Sequence, residues 1–407
     1  MKDKLSRGVS WLWTRLKAFP RSSPGLWKLC LVSVSLALVA LILIGVLGAV
    51  KAAPQSQSAH LQWTGSQDEL RYAQLSLFFA DHAAPDFARI YDLRDALDAA
   101  LKESSMEPVS EAARLWLDAF SVERDISTDI GGDGSVAATA LGIGGDYFYF
   151  HPFELMHGQL ITGDDLLKDM VVIDEALAWQ LFGAFNVVDF PINVGGQPCY
   201  VAGVVRVTDR WPESALYGAK GRLFAPFELL ENLEPGLTAT CYEMILPDPV
   251  GGFAYGLAEK AAPAREGDCL LVENSARYGT FKLLQKLRDF SRLGTQTTAI
   301  ALPYWENAAR MAENWALLIM ALIVLLLVTP LVCVILLIVK AWRRRGALLT
   351  WIKETYRRRQ MARWRSRREA EQLAAERQKE DEERDRQSDA PEGEAVPADK
   401  SKEEVIL

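Results

Sequence analysis

Two long apolar runs, Leu29 to Val50 and Asn314 to Val339, divide the chain into three polar stretches, and neither run contains a charged residue. A hydrocarbon core about 30 Å thick needs about 20 residues of helix, so both runs predict membrane-spanning helices. Pro330 lies in the second run, where a membrane helix accepts a proline and a kink. The alternative for the first run is a cleaved signal peptide ending at Val50-Lys51-Ala52, but the run is longer than a signal core and 28 residues precede it. Between the runs the hydrophobic period changes repeatedly. Leu70 to Phe79 alternates like a strand, Pro85 opens a helix-period run, and Arg114 to Ile126 returns to strand character. Thr238 to Leu246, Gly251 to Ala262 and Cys269 to Val272 repeat the strand, helix, strand order.

Two such β-α-β units complete one sheet with helices on one face, the split ferredoxin-like arrangement, if the stretch between them is an inserted lobe. That stretch is rich in strand and turn signals. It holds glycine turns at Gly131 to Gly134 and Gly142 to Asp146, the apolar run Met170 to Ile173, and a short helix Glu175 to Phe182. It ends in the pair Ile192 to Val194 and Tyr200 to Val207, joined by Gly195-Gly196-Gln197-Pro198. The expected class is α+β: a membrane-anchored external domain over residues 51–313, between two transmembrane helices. Its split β-α-β lobe covers about 60–130 and 236–300, with a β-rich insert over about 131–235.

Charge fixes the orientation. Met1 to Lys28 carries a net +6, Lys340 to Arg368 a net +11, the middle segment −17 and Glu369 to Leu407 −8. Lys and Arg flanks stay inside, so the expectation is a two-pass protein of the plasma (inner) membrane, with both termini cytoplasmic and the central domain extracytoplasmic.

Chemistry is sparse. With five cysteines and four histidines in 407 residues, neither a disulfide scaffold nor a multi-histidine metal site is expected. His151 and His157 flank Glu154, but their spacing of six is not that of a zinc helix, and a structured loop is the expected reading. Cys241 and Cys269 fall on the strands of the second β-α-β unit; adjacent parallel strands would allow a disulfide, and small buried thiols are the alternative. Cys30 and Cys333 read as filler within the spans, with palmitoylation the other use for Cys30. Acidic clusters such as Asp164-Asp165 lack the ligand spacing of a calcium loop, and no nucleophile elbow or Gly-x-x-x-x-Gly-Lys-Ser/Thr loop occurs. No catalytic, cofactor-binding or metal-binding residue is assigned, and the chain is not expected to be an enzyme.

The insert carries a recognisable order of pieces. Tyr147-Phe148 precedes a short helix, Gly158 enters a loop, Val171 to Ala178 joins an apolar strand to a helix, Phe182-Gly183 follows, and Val201 to Val205 ends a glycine-turn hairpin. Over about 80 residues this closely resembles the periplasmic core domain of MacB-type ABC transporter permeases. The resemblance implies a porter-like α/β lobe with a β-rich insert, held outside the membrane on stalk helices. Members of that family place three spanning helices after the external domain, whereas one apolar run follows it here, so the chain resembles a two-span variant without the last two.

Two segments are candidates for coupling. Tyr304, Trp305 and Trp315 suit an interfacial aromatic belt, while Glu306 and Arg310, four apart, suit a stiffened junction where the stalk enters the membrane. Trp342, Arg343, Arg344 and Arg345 open a basic, aromatic-rich inner segment for which anionic lipid is the first expected contact, and no nucleic acid partner is expected. Residues 340–387 read as a basic to mixed-charge helix and 388–407 as an acidic disordered tail. The expected role is a permease-like or accessory subunit of an ABC-type export or mechanotransmission system. Its partners would be a separate ATPase and a companion permease or a second copy. The alternative is an ATP-independent binding or scaffold protein for a cell-envelope partner.

Overall fold

The computed structural model describes residues 24–52, 55–63, 70–110, 113–131, 134–206, 209–262, 267–288, 300–343 and 345–388. The described residues fall into two compact units, one within residues 31–328 and the other within residues 1–30 and 329–407.

In the larger unit, strand β1 (Tyr72–Phe79) leads to helix α2 (Phe87–Glu103) and strand β2 (Leu117–Asp129), after the opening helix α1 (Pro24–Ala52). Helix α2 forms because Ile90, Leu93, Leu97 and Leu101 recur on one face and are buried, and because the Asp86 carboxylate accepts from the Arg89 N–H at its N-terminus. The insert follows: β3 (Val136–Gly145), the single turn α3 (Tyr147–Phe150), β4 (Glu154–Gly158), β5 (Met170–Asp174), α4 (Glu175–Phe182), β6 (Pro191–Val194), β7 (Gln197–Arg206), α5 (Glu213–Tyr217), β8 (Arg222–Pro226) and α6 (Phe227–Leu233). Strand β9 (Cys241–Pro247), α7 (Phe253–Ala261), β10 (Cys269–Glu273) and α8 (Thr280–Arg288) close the domain.

Among the described residues, the sheet runs β10-β1-β9-β2-β3-β8-β5-β7-β4, with β6 pairing β2 and β7. Its first four strands are antiparallel neighbours, and their order is the split β-α-β order that the periodicity predicts. The insert does not form a detached sheet. It continues this one through the long β2–β3 hairpin and the parallel β3–β8 pairing.

Strand β1 is buried at every position. Ala73, Leu75, Leu77 and Phe79 face a core built with α2 and α7. Tyr72 and Phe78 belong to a second core with Tyr147, Phe150, Ile245 and Trp305. Gln74 and Ser76 alternate with the first set and are also withdrawn from solvent.

Three sequence expectations change. Gly142 to Gly145 are not a turn but the end of β3, where a Cβ on Gly144 would lie 2.1 Å from Phe120 Cζ. Residues 154–158 are a strand, not a loop, and His151 is separated from it. Strands β9 and β10 are not neighbours: β1 lies between them, with Phe78 opposite Cys241 and Phe79 opposite Cys269. Two interstrand steps of about 4.8 Å exceed a disulfide's reach, and both thiols are free. The glycine turn expected at 131–134 falls partly outside the described residues, and the one at Gly195-Gly196 is as expected. Gly195 and Gly196 both have positive φ and close the β6–β7 hairpin, although Gln197 and Pro198 already belong to β7.

Helices α1 (29 residues) and α9 (Tyr304–Arg343, 40 residues) are long and apolar enough to cross a membrane. At about 1.5 Å per residue α9 is about 60 Å long, twice a hydrocarbon core, so part of it serves another purpose.

Candidate functional site

The surplus length of α9 is embedded in the domain. Trp305, Glu306, Ala308, Ala309 and Ala312 are all buried, and Trp305 is only 1% exposed. Its indole packs against His151 at 4.4 Å between ring centroids, Tyr304 at 5.2 Å and Tyr147 at 6.1 Å. The aromatic-belt reading of Tyr304 and Trp305 therefore fails; among those three residues only Trp315 is exposed. Tyr304 also lies under the Arg222 guanidinium, 4.7 Å from its ring centroid.

The partner of this helix is the turn after β10. Asn274 N–H donates to Gln74 O at 2.8 Å, Asn274 Nδ2 donates to Ser76 Oγ at 2.8 Å, and Gln74 N–H donates to Ser275 Oγ at 3.0 Å. Held to β1 in this way, the turn delivers Arg277 into the interior, where it is 4% exposed. Its Nη1 and Nη2 donate to Glu306 Oε2 and Oε1 at 2.6 and 2.8 Å, and its Nε donates to Glu313 Oε1 at 2.7 Å. Arg310 Nε adds a 2.8 Å bond to Glu306, and Lys286 of α8 pairs with Glu313. Glu306, Arg310 and Glu313 stand at i, i+4 and i+7, one face of α9.

The electrostatics are consistent with a mutual clamp. Burial alone would raise the Glu306 carboxyl, but Arg277 and Arg310 offset it and hold the group below its ordinary value. Burial likewise works against the Arg277 charge, and Glu306 and Glu313 more than offset it, so its pKa is raised. Glu306 also lies in the first turn of its helix, where the helix dipole favours an anion.

A second polar line reaches the clamp from the insert. His151 Nε2 pairs with Glu243, the Ser76 hydroxyl donates to Glu243 Oε1 at 3.0 Å, and Asn274 links Ser76 to the turn that carries Arg277. The chain just beyond α1 is tied in as well: Gln74 Nε2 donates to Ser56 O at 2.6 Å, and Ser56 Oγ donates to Glu213 Oε1 at 3.1 Å. Leu47 and Val50 of α1 pack on Leu283, Ala316, Leu317 and Met320. What this arrangement can do is mechanical: α9 cannot slide or turn within the domain without breaking several buried charge-assisted bonds.

Arg277, Glu313, Glu243 and His151 are the members that sequence reasoning missed. Glu313 had a signal, since it continues the Glu306 and Arg310 face by one turn. Arg277 is a lone arginine in a turn and had none.

At the other end of α9, Trp342 and Arg343 are exposed. Arg344 lies outside the described residues, as does the side chain of Arg345, which opens helix α10 (Arg345–Ser388). Within the smaller unit Cys30 and Cys333 are not separate filler: their sulfurs lie 3.3 Å apart.

The family model described as MacB-like periplasmic core domain matches residues 29–250. Among solved structures the chain is similar to the periplasmic region of MacB from Actinobacillus actinomycetemcomitans, at 17% identity over 53% of this chain and 92% of that one, with a TM-score of 0.37. It is also similar to the extracellular domain of the noncanonic ABC-type transporter YknZ from Gram-positive bacteria, at 15% identity over 49% of this chain and 99% of that one, with a TM-score of 0.34. No curated protein matches.

Proposed function

The chain belongs to the MacB-like periplasmic core domain family, and from that premise we propose that it is a permease-like or accessory membrane subunit of an ABC-type export or mechanotransmission system. A separate ATPase supplies the motion, and α9 carries it into the extracytoplasmic domain. The observation that carries this reading is the clamp of Arg277 on Glu306 and Glu313, which makes the outgoing helix part of the domain core. A static anchor needs only a span and a linker; a helix that moves its domain needs a stiff joint.

These residues contain no phosphate-binding loop, and the proposal assigns ATP hydrolysis to a separate ATPase. The basic flanks support a two-pass topology with both termini cytoplasmic, which places Trp342, Arg343, Arg344 and Arg345 where an ATPase or a companion permease can reach them. Two spans are too few to enclose a pathway, so a second copy or a companion permease completes the assembly.

The test is gentle detergent extraction after crosslinking in cells, followed by identification of co-purifying chains, with terminal tags probed in spheroplasts. The expected result is an ATPase subunit and protected tags. Recovery of envelope proteins without an ATPase overturns the reading in favour of an ATP-independent platform, and an accessible C-terminal tag overturns the topology.

A further inference from the structure

Helix α10 begins at Arg345, two residues after the end of α9 at Arg343, and its charge is sharply divided. Residues 353–368 contain eight Lys or Arg and one Glu, whereas residues 369–388 contain eight Asp or Glu and four Lys or Arg. On the basic part, Lys353, Arg357, Met361, Trp364 and Arg368 succeed one another at spacings of four, four, three and four. Tyr356 and Arg367 flank that row, so all seven share one face. Its three large side chains lie open: Tyr356 is 67% exposed, Met361 60% and Trp364 63%. Of the remaining arginines, Arg363 borders this face beside Tyr356, seven residues before it, while Arg358, Arg359 and Arg365 turn away from it on a side with no large apolar residue.

We infer that this face is a binding surface for anionic lipid headgroups. The tyrosine, methionine and tryptophan enter the headgroup boundary, and Lys353, Arg357, Arg367 and Arg368 lie over lipid phosphates. Three observations select lipid over other occupants. The face follows the spanning helix almost directly, so a bilayer surface is always within reach. Aromatic and basic side chains on one helical face are what a headgroup region accommodates, with the long cationic side chains extending toward phosphate. The acidic half is repelled by the same surface, so the charge boundary near Arg368 and Glu369 marks where contact ends. Each cation beside an anionic bilayer strengthens binding about fivefold, an effect that salt screens. This surface is separate from the Arg277 clamp and stands whether or not the chain works with an ATPase.

The full chain is reconstituted in nanodiscs of phosphatidylcholine alone and of equal parts phosphatidylcholine and phosphatidylglycerol. Tryptic cleavage at Arg357 to Arg365 is followed by mass spectrometry, with cleavage in the folded domain as internal reference. Cleavage is expected to be at least about tenfold slower with phosphatidylglycerol and to recover in high salt. A variant with Tyr356→Ser, Met361→Ser and Trp364→Ser keeps every cleavage site and is expected to lose most of that protection. Lys353→Glu with Arg368→Glu should lose it as well. Equal cleavage in the two lipids overturns the inference, as does protection that the serine variant retains in full. Protection found in native membranes but in neither nanodisc also overturns it, and identifies a protein partner instead.

Discussion

Arg277 and Glu306, 29 residues apart in sequence, meet in a two-pronged ion pair at 2.6 and 2.8 Å, with both side chains almost wholly out of solvent. Neither charge would be tolerated there alone. A pair this buried stabilises mainly by comparison with its own broken form, because removing one member strands the other.

Arg277→Met is therefore expected to destabilise the domain by about 3 kcal/mol, leaving Glu306 and Glu313 to Arg310 and Lys286 at the margin of the cluster. In the full chain in detergent this should lower the melting midpoint by about 10 °C. Replacing Arg277, Glu306 and Glu313 together by Met and Leu should recover much of the loss. A triple variant that melts below the single one would show that the charges do more than satisfy one another.

Acid should separate two carboxyls. Glu306 sits below its ordinary 4.5, so its contribution is complete above that pH and is lost as pH falls through the lowered folded value. Burial pushes the Asp174 carboxyl up to about 6 from its ordinary 3.8, against bonds from Leu177 N–H, Arg222 N–H and Tyr217 OH. Its contribution is fullest below pH 3.8 and is lost as pH rises through about 6. Denaturant titrations between pH 3 and 7 should thus show, at about 1.4 kcal/mol per pKa unit, a wild-type advantage over Asp174→Asn that shrinks as pH rises. The advantage over Glu306→Gln should instead shrink as pH falls. A flat difference for either variant refutes the assignment for that residue.

The burial of Trp305 moves the boundary of the foldable unit. Residues 56–302 hold both β-α-β units, yet that stretch omits Trp305 and the acidic partners of Arg277. A chain of residues 55–316 is expected to melt cooperatively, while 55–302 binds a hydrophobic dye and lacks a sharp transition. Equal cooperativity in both would place the first turns of α9 outside the core.

Cys30 and Cys333 offer a test within the smaller unit. Mild oxidation of membranes should yield a disulfide-linked peptide pair in a non-reduced digest, abolished by Cys333→Ser. Its absence, with both thiols shown reactive, would contradict the 3.3 Å approach.

Most of the scaffold was legible in the sequence because it rests on local patterns. The Ile90, Leu93, Leu97 spacing of α2, the β6–β7 glycine hairpin and the two apolar runs each declare themselves within a short window. What was not legible depends on distant segments meeting. The polar positions Gln74 and Ser76 in β1 have the alternation of a half-exposed strand, and only the packing of α9 and the β10 turn over that face shows that they are buried. Trp305 beside an apolar run has the composition of a membrane-interface residue, and its burial among Tyr147 and His151 depends on where a segment more than 150 residues earlier comes to lie. Gly142 to Gly145 look like a turn by composition, whereas the Phe120 ring across β2 is what requires glycine at position 144.

The burial of α9 in the domain also orders the protein's birth. Strands β1 through β10 are translated before Tyr304, so the nascent domain emerges with one sheet face uncovered and Arg277 lacking both of its carboxylates. In the proposed topology its last core pieces arrive on the same helix that halts export by entering the bilayer. Completion of the fold and insertion of the second span are thus a single late event in synthesis, and a chain stalled before Ala316 would present an unfinished surface to quality-control proteases.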